Sequence, residues 1–188
     1  MSDDALQDIL DQLEALPMRK HATELGMISI LWSRLELQLD ILLLGLMQLR
    51  EPEAASIILG SMDLKNKISA ILAMGFVRKP NDRWYSDLKK LLDEINTDLR
   101  NKRNRYMHDY WLGSEDKVFR LNMAPKVKRP QSREFAIEYH KAEETAIGTL
   151  KAFQIQLLAA AGKIMSLISE AKLPYELNEP PSDPPETK

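Results

Sequence analysis

Residues 99–111 read Leu-Arg-Asn-Lys-Arg-Asn-Arg-Tyr-Met-His-Asp-Tyr-Trp, which places four cations, a histidine and three aromatic residues in one short stretch. The apolar residues that lead into this stretch recur at steps of three and four along the chain: Trp84, Leu88, Leu91, Leu92, Ile95, Leu99 and Tyr106. That spacing predicts an amphipathic helix with the basic stretch at its C-terminal end. We expect any chemical activity of the chain to lie here.

The helical turn angle predicts where the polar side chains of this stretch point. At about 100° per residue, Arg103 lies beside the buried stripe and His108 lies on the opposite face. Asn104 shares a face with His108 because four residues separate them. Arg100 and Trp111 lie close to that face. A site that uses both Arg103 and His108 therefore needs either a helix break between them or a second copy of the chain.

Three of these residues have the chemistry that RNA cleavage without a metal requires. His108 is the natural proton carrier, because an unperturbed imidazole has a pKa of about 6.5 and both of its forms exist near neutrality. Arg103 offers a planar set of donors that suits a phosphate. Asn104 is expected to hold either the imidazole or a phosphate oxygen. We predict these three as the catalytic residues.

The other side chains of the stretch are predicted to bind RNA or to pack. Arg100, Lys102 and Arg105 are assigned to RNA binding. Trp111 either stacks on a base or anchors a dimer interface or hairpin, and Tyr106 is predicted to be a core residue. The alternative for the whole stretch is an exposed basic helix end, because cations are favoured at the C-terminal end of the helix dipole.

The motif Arg-Asn-x-x-x-His, formed by Arg103, Asn104 and His108, resembles the signature of the HEPN superfamily. This resemblance implies a helical bundle that often dimerises and brings two motifs together into a metal-independent RNA-cleaving site. The longer form Arg-x4-His-x-Tyr, completed by Tyr110, is similar to the motif of HEPN toxins that are paired with nucleotidyltransferase antitoxins. In those pairs the tyrosine can carry an attached nucleotide. The resemblance thus implies an RNA substrate, a homodimer, an antitoxin or nucleotidyltransferase partner, and no cofactor.

The rest of the chain predicts an all-α fold, a bundle of four to five helices with a small β-hairpin insert before the last helix. We expect one helical domain over residues 1–172, with helices near 3–16, 19–50, 52–76 and 140–171 beside the motif helix. The central helix carries Glu36 and Asp40. These acids either form a solvated face or reach the Arg103 region and orient it, since a buried carboxylate should be paired.

The predicted insert spans about 113–139. Residues 117–122 alternate with period two, residues 126–130 can pair with them, and residues 134–139 either add a third strand or lead into the last helix. The lysines and arginines of the insert either protect a strand edge or follow a phosphate backbone. Residues 173–188 are acidic and rich in proline, which predicts a disordered tail.

Composition narrows the choice of function. The chain has 188 residues, 44% of them hydrophobic, and no cysteine, which removes disulfides and thiolate sites. The three histidines show no His-x-x-x-His or Glu-x-x-His spacing, so no metal site is predicted. The acidic N-terminus is unlike a secretory signal, and the apolar segment 25–49 is interrupted by charged residues, so we expect a cytoplasmic protein without a membrane span.

Two hypotheses follow from the sequence. The first is a homodimeric endoribonuclease of HEPN type, a toxin or defence effector, with a composite Arg103 and His108 site. The second is a non-catalytic helical module that binds a protein or nucleic acid through its basic face. His21 and His140, which lie outside the motif, are expected to be structural or exposed rather than catalytic.

Overall fold

The computed structural model describes residues 18–48, 52–114, 117–121, 126–128, 136–138 and 142–173. Within these ranges the chain forms a helical bundle with a small antiparallel sheet before the last helix, which confirms the predicted fold class. The helices are α1 (Arg19–Met47), α2 (Pro52–Gly60), α3 (Leu64–Arg78), α4 (Asp82–Glu94), α5 (Arg100–His108) and α6 (Ile147–Glu170). The predicted helix over 3–16, His140 and the predicted tail from residue 174 onward lie outside the described residues.

The motif helix is longer than one regular segment. A π-helical turn at Ile95–Leu99 joins α4 to α5, so that Asp82–His108 forms one continuous helix. The side chain of Asn81 accepts the backbone N–H of Trp84 at 2.8 Å and caps the start of this helix. The helix ends at His108, three residues earlier than predicted, because Tyr110 already begins a strand.

The predicted helix over 52–76 is divided in two. The side chain of Asp63 accepts the backbone N–H of Asn66 at 2.8 Å and so caps the start of α3. The hydroxyl of Ser61 donates to the carbonyl of Ile58 at 2.8 Å, at the end of α2. These short polar side chains satisfy the backbone groups of two helix ends, which explains why a single helix does not continue through Gly60.

The strands pair differently from the prediction. Strand β1 (Tyr110–Ser114) pairs with β2 (Lys117–Leu121), and β2 also pairs with β5 (Glu143–Glu144). Strand β3 (Lys126–Lys128) pairs instead with β4 (Ala136–Glu138). The expected pairing of residues 117–122 with residues 126–130 was therefore wrong, because the chain directly after α5 supplies the partner of β2. The last helix begins at Ile147 rather than near residue 140, since β5 precedes it.

The described residues fall into two compact units. The first contains the described residues up to Leu35 together with Asp93–Ala161. Its core combines apolar side chains of the helices and of β2: Ile28, Trp32, Leu35, Ile95, Leu99, Tyr106, Val118, Leu150, Phe153, Leu157, Ala160 and Ala161. This unit holds the complete motif, so the candidate site can be described within it.

The second unit contains Glu36–Leu92 and the described residues from Gly162 onward. The indole N–H of Trp84 donates to the carbonyl of Leu167 at 2.9 Å in its interior. Its buried apolar side chains come from four helices, α1, α3, α4 and α6: Leu39, Leu42, Leu43, Leu46, Ile68, Ile71, Trp84, Leu88, Leu91, Leu92, Ile164, Leu167 and Ile168.

Helix α6 is, among the described helices, the one that is long and apolar enough to cross a membrane by length and composition alone. Of its most apolar 18-residue window, 39% is buried inside the protein. The core helix of a soluble protein passes the same test.

Candidate functional site

Helix α5 carries the motif without interruption. Its backbone is α-helical from Arg100 to His108, and the π-helical turn comes before both Arg103 and His108. The helix break between them that one chain would need is therefore not present. As the turn angle predicts, Arg103 is half-buried against the core and His108 is exposed.

Arg103 is held by two groups of its own unit. Its Nη1 donates to the amide oxygen of Asn104 at 3.2 Å, and its guanidinium lies 5.9 Å from the centre of the Trp32 ring. Its Nε is buried and has no hydrogen-bond partner within the described ranges. The guanidinium is thus oriented by an amide and an aromatic face, while part of its donor capacity is unused.

His108 closes α5 at its C-terminal end. Its side chain is exposed and makes no hydrogen bond or ion pair with the part of the chain that the structure describes. Asn104 lies one turn earlier on the same face. Because the amide oxygen of Asn104 is bound by Arg103, its amide nitrogen is the group left to face a ligand or the imidazole.

Two of the predicted RNA-binding cations are engaged along the helix. Arg100 donates to the amide oxygen of Asn96 at 3.2 Å. Lys102 pairs with Asp98 at 2.7 Å and also donates to Gln156 at 3.3 Å. Both contacts lie on a partly exposed surface, where such pairs contribute little free energy and leave the cations available to a stronger anion.

Arg105, the third predicted RNA-binding cation, belongs to a network of four charges. Its guanidinium lies 3.5 Å from Asp109 and 3.3 Å from Glu143. Arg120 of β2 contacts the same two carboxylates, Asp109 at 3.4 Å and Glu143 at 2.8 Å. We call these residues, Arg105, Asp109, Arg120 and Glu143, the charge ring.

The members of the charge ring differ in exposure. The side chains of Asp109 and Arg120 are only 8% and 11% exposed, whereas those of Arg105 and Glu143 are 46% and 59% exposed. The Arg120 guanidinium also lies 5.1 Å from the centre of the buried Tyr106 ring. The ring therefore has a fixed inner pair and a solvent-facing outer pair.

The pKa of Glu143 reflects this arrangement. The hydrogen bond from Arg120 lowers the pKa of this carboxyl below its ordinary value of 4.5, and the charges of Arg105 and Arg120 add to the effect, while desolvation opposes it. Glu143 is consequently ionised at neutral pH.

Trp111 does not lie on the helical face beside His108. It stands on β1, where its indole N–H donates to the carbonyl of Tyr106 at 3.0 Å. Its ring lies 6.4 Å from that of Tyr106 and 6.2 Å from that of His21. These contacts hold Trp111 against α5, as a hairpin anchor would be, while its stacking on a base stays a prediction; Tyr106 is a core residue as predicted. His21 is buried and pairs with the carbonyl of Thr145 at 2.8 Å, which confirms a structural position.

Glu36 and Asp40, the acids of the central helix, lie in the second unit, and a role for them in orienting Arg103 stays a prediction. Asp40 forms an ion pair with Lys67 at 2.7 Å, and both side chains are mostly buried. Glu36 is half-buried and makes no hydrogen bond within the described residues. Tyr110, the residue that the resemblance marks for modification, is exposed at the start of β1.

No family model, curated protein or solved structure matches this chain. In the ranges described above, no group of three histidine or acidic side chains is arranged to hold a metal ion.

The sequence reasoning missed the charge ring. The spacing of Arg105 and Asp109, four residues apart on a helix, is a signal for an ion pair and is present in the motif itself. Arg120 and Glu143 carried no such signal. They meet because they are directly opposite each other on β2 and β5, and that register depends on the three-dimensional fold.

Proposed function

We propose that this protein is a metal-independent endoribonuclease of HEPN type, a cytoplasmic toxin or defence effector that acts as a homodimer. The observation that supports the proposal is the position of His108. Its side chain is exposed at the end of an unbroken helix, on the same face as Asn104, and Arg103 is held in a fixed orientation on the opposite face. An antitoxin or nucleotidyltransferase that acts on the exposed Tyr110 is the partner that fits this reading.

In the proposed reaction His108 transfers the protons. The imidazole takes the proton of a ribose 2′-hydroxyl, the hydroxyl oxygen attacks the neighbouring phosphorus, and the bond to the 5′-oxygen breaks as that oxygen takes the proton from the imidazolium. Arg103 stabilises the charge that develops on the phosphate oxygens. A second copy of the chain supplies the complementary Arg103, because one helix points the two side chains apart.

A non-catalytic interaction module is the second candidate, and a specific observation favours it. The cations of the motif contact groups of the same chain: Arg100 with Asn96, Lys102 with Asp98, Arg103 with Asn104, and Arg105 with Asp109 and Glu143. A surface whose cations are already paired in this way is also suited to bind a protein or a nucleic acid without catalysing a reaction.

Cleavage of RNA in the presence of EDTA tests the proposal. The purified chain is incubated with labelled single-stranded RNA, and His108→Ala is purified in parallel with a matched control, His140→Ala, which removes an imidazole outside the motif. We expect His108→Ala to lower the cleavage rate by about 10² to 10⁴, the range for one acid–base group.

The control should cleave at the rate of the unchanged chain. Intact RNA at high protein concentration, or equal cleavage by His108→Ala, would show that the chain is the interaction module or that the cleavage comes from another protein.

A further inference from the structure

Glu143 occupies a position between two arginines that an anion of another molecule can take. One oxygen, Oε2, lies 2.8 Å from Nη2 of Arg120 and 3.3 Å from Nη2 of Arg105. The carboxylate is mostly exposed and lies on β5, a strand of only two residues. The pair with Arg105 joins two exposed side chains and contributes little free energy, whereas the pair with the mostly buried Arg120 is the contact that an incoming phosphate has to replace.

The arginines remain positioned when Glu143 leaves. Arg120 still has its ion pair with Asp109 at 3.4 Å, between side chains that are only 11% and 8% exposed. Arg105 also keeps its contact with Asp109 at 3.5 Å. Asp109 therefore preserves a site with two guanidinium groups, which is the chemistry that recognises a phosphate.

This site lies beside the proposed proton carrier of the same chain. Arg105 and His108 are three residues apart on the uninterrupted helix α5, and residues at that spacing are neighbours on a helix surface, with Cβ atoms about 5–6 Å apart. Arg103, in contrast, points away from His108. The arginine that one chain can use together with His108 is consequently Arg105.

We propose that Arg105 and Arg120 form a phosphate-binding site for RNA next to His108, and that Glu143 holds this site closed until a phosphate displaces it. The proposal rests on RNA being the ligand of the His108 face, as in the proposed function. It adds a binding residue from the sheet, Arg120, and an internal competitor, Glu143, to the motif.

Removal of the competing charge distinguishes this site from a purely structural ion pair. Binding of fluorescein-labelled oligouridine is measured by anisotropy in the His108→Ala background, with and without Glu143→Gln. Glutamine keeps the shape of the side chain and removes its charge. The matched control is Glu144→Gln, which removes the same charge from the next residue, whose partner at 3.2 Å is Lys117.

We expect Glu143→Gln to tighten RNA binding about three- to fivefold at low salt, because a phosphate no longer competes with a carboxylate. The logarithm of the binding constant should also fall more steeply with the logarithm of salt concentration, by about 0.7 for one added phosphate contact on a single strand. Glu144→Gln should change the affinity less than about twofold. Thermal unfolding of each variant shows that it is folded at the temperature of the measurement.

Weaker or unchanged binding in Glu143→Gln, or an equal gain in Glu144→Gln, would overturn the phosphate site. The two proposals fail separately. If Glu143→Gln tightens RNA binding but the unchanged chain does not cleave RNA, the phosphate-site proposal is supported and the nuclease proposal is rejected. If the chain cleaves RNA but Glu143→Gln does not change its affinity for RNA, the nuclease proposal is supported and the phosphate-site proposal is rejected.

Discussion

In the motif, Arg103 interacts with its neighbours through the planar shape of its guanidinium as well as through its charge. Its planar guanidinium both lies over the Trp32 ring and donates to Asn104, and these contacts fix the direction in which the remaining N–H groups point. A lysine retains the charge but has neither the plane nor the paired donors. The orientation of the group is therefore what a conservative substitution removes.

We expect Arg103→Lys to lower RNA cleavage by at least about tenfold with little change in thermal unfolding, because the phosphate contact loses its two-donor geometry while the charge stays. Initial rates with labelled RNA check this. Arg83→Lys, at an exposed position on α4 with a long ion pair to Asp87, is the matched control. Full activity in Arg103→Lys would argue against the proposed contact between this guanidinium and the phosphate.

At the scale of elements, the sequence predicted what depends on local pattern. The three- and four-residue steps predicted the helices of the described core, and the Asn81 cap at the start of α4 is a local signal of the same kind, because its side chain caps the helix without help from distant residues. The division between α2 and α3 was missed, although Asp63 carried a local signal for it. The pairing of β2 with β1 and β5 could not be predicted, because strand register is set by contacts distant in sequence.

The part of the candidate site that depends on local sequence was predictable, and the part that depends on contacts distant in sequence was not. The half-buried position of Arg103 and the exposure of His108 follow from the turn angle of one helix. The position of Trp111 does not, because the helix ends at His108 and the chain reverses into β1. The charge ring depends on the same sheet, so only its Arg105 and Asp109 half was accessible to sequence reasoning.

The contact between α3 and α4 gives a test of packing that needs no activity. A Cβ atom added at Gly75 would lie 2.8 Å from Cδ2 of Leu88 and 3.6 Å from Cζ3 of Trp84, and both of these side chains are buried. In Gly75→Ala we expect overpacking to cost about 1–3 kcal/mol and helix propensity to offset up to about 1 kcal/mol of that cost, so that the free energy of unfolding falls. Denaturant unfolding followed by circular dichroism measures the change.

Gly26 on α1 is the matched control for that substitution. Among the described residues, no side chain lies within 4 Å of a Cβ atom added there, so Gly26→Ala should raise the free energy of unfolding by up to about 1 kcal/mol through helix propensity. If Gly75→Ala were as stable as Gly26→Ala, α3 and α4 would not be packed as closely as the Leu88 contact indicates.

At the scale of the whole molecule, the uninterrupted helix α5 leaves two possible arrangements of the proposed active site, one shared between two chains and one within a single chain. Arg103 and His108 point apart on one chain, so a site that needs both requires two copies related by a two-fold axis. A site that uses Arg105 and Arg120 beside His108 is complete within one chain. The number of chains that one active site needs is thus a measurable property.

Mixing two inactive variants measures it. Arg103→Ala and His108→Ala are each expected to cleave RNA poorly, and unfolding and refolding them together allows mixed dimers to form. In a site shared between two chains, a mixed dimer combines the intact Arg103 of one chain with the intact His108 of the other. We therefore expect the mixture to recover about a quarter of the full activity, since half of the dimers are mixed and each mixed dimer holds one intact site out of two.

Sedimentation of the unchanged chain at the assay concentration gives the fraction of dimer. If dimers form and no activity returns on mixing, Arg103 and His108 act within a single chain or not in one site, and the homodimeric composite site would be abandoned in favour of the pair formed by Arg105 and His108.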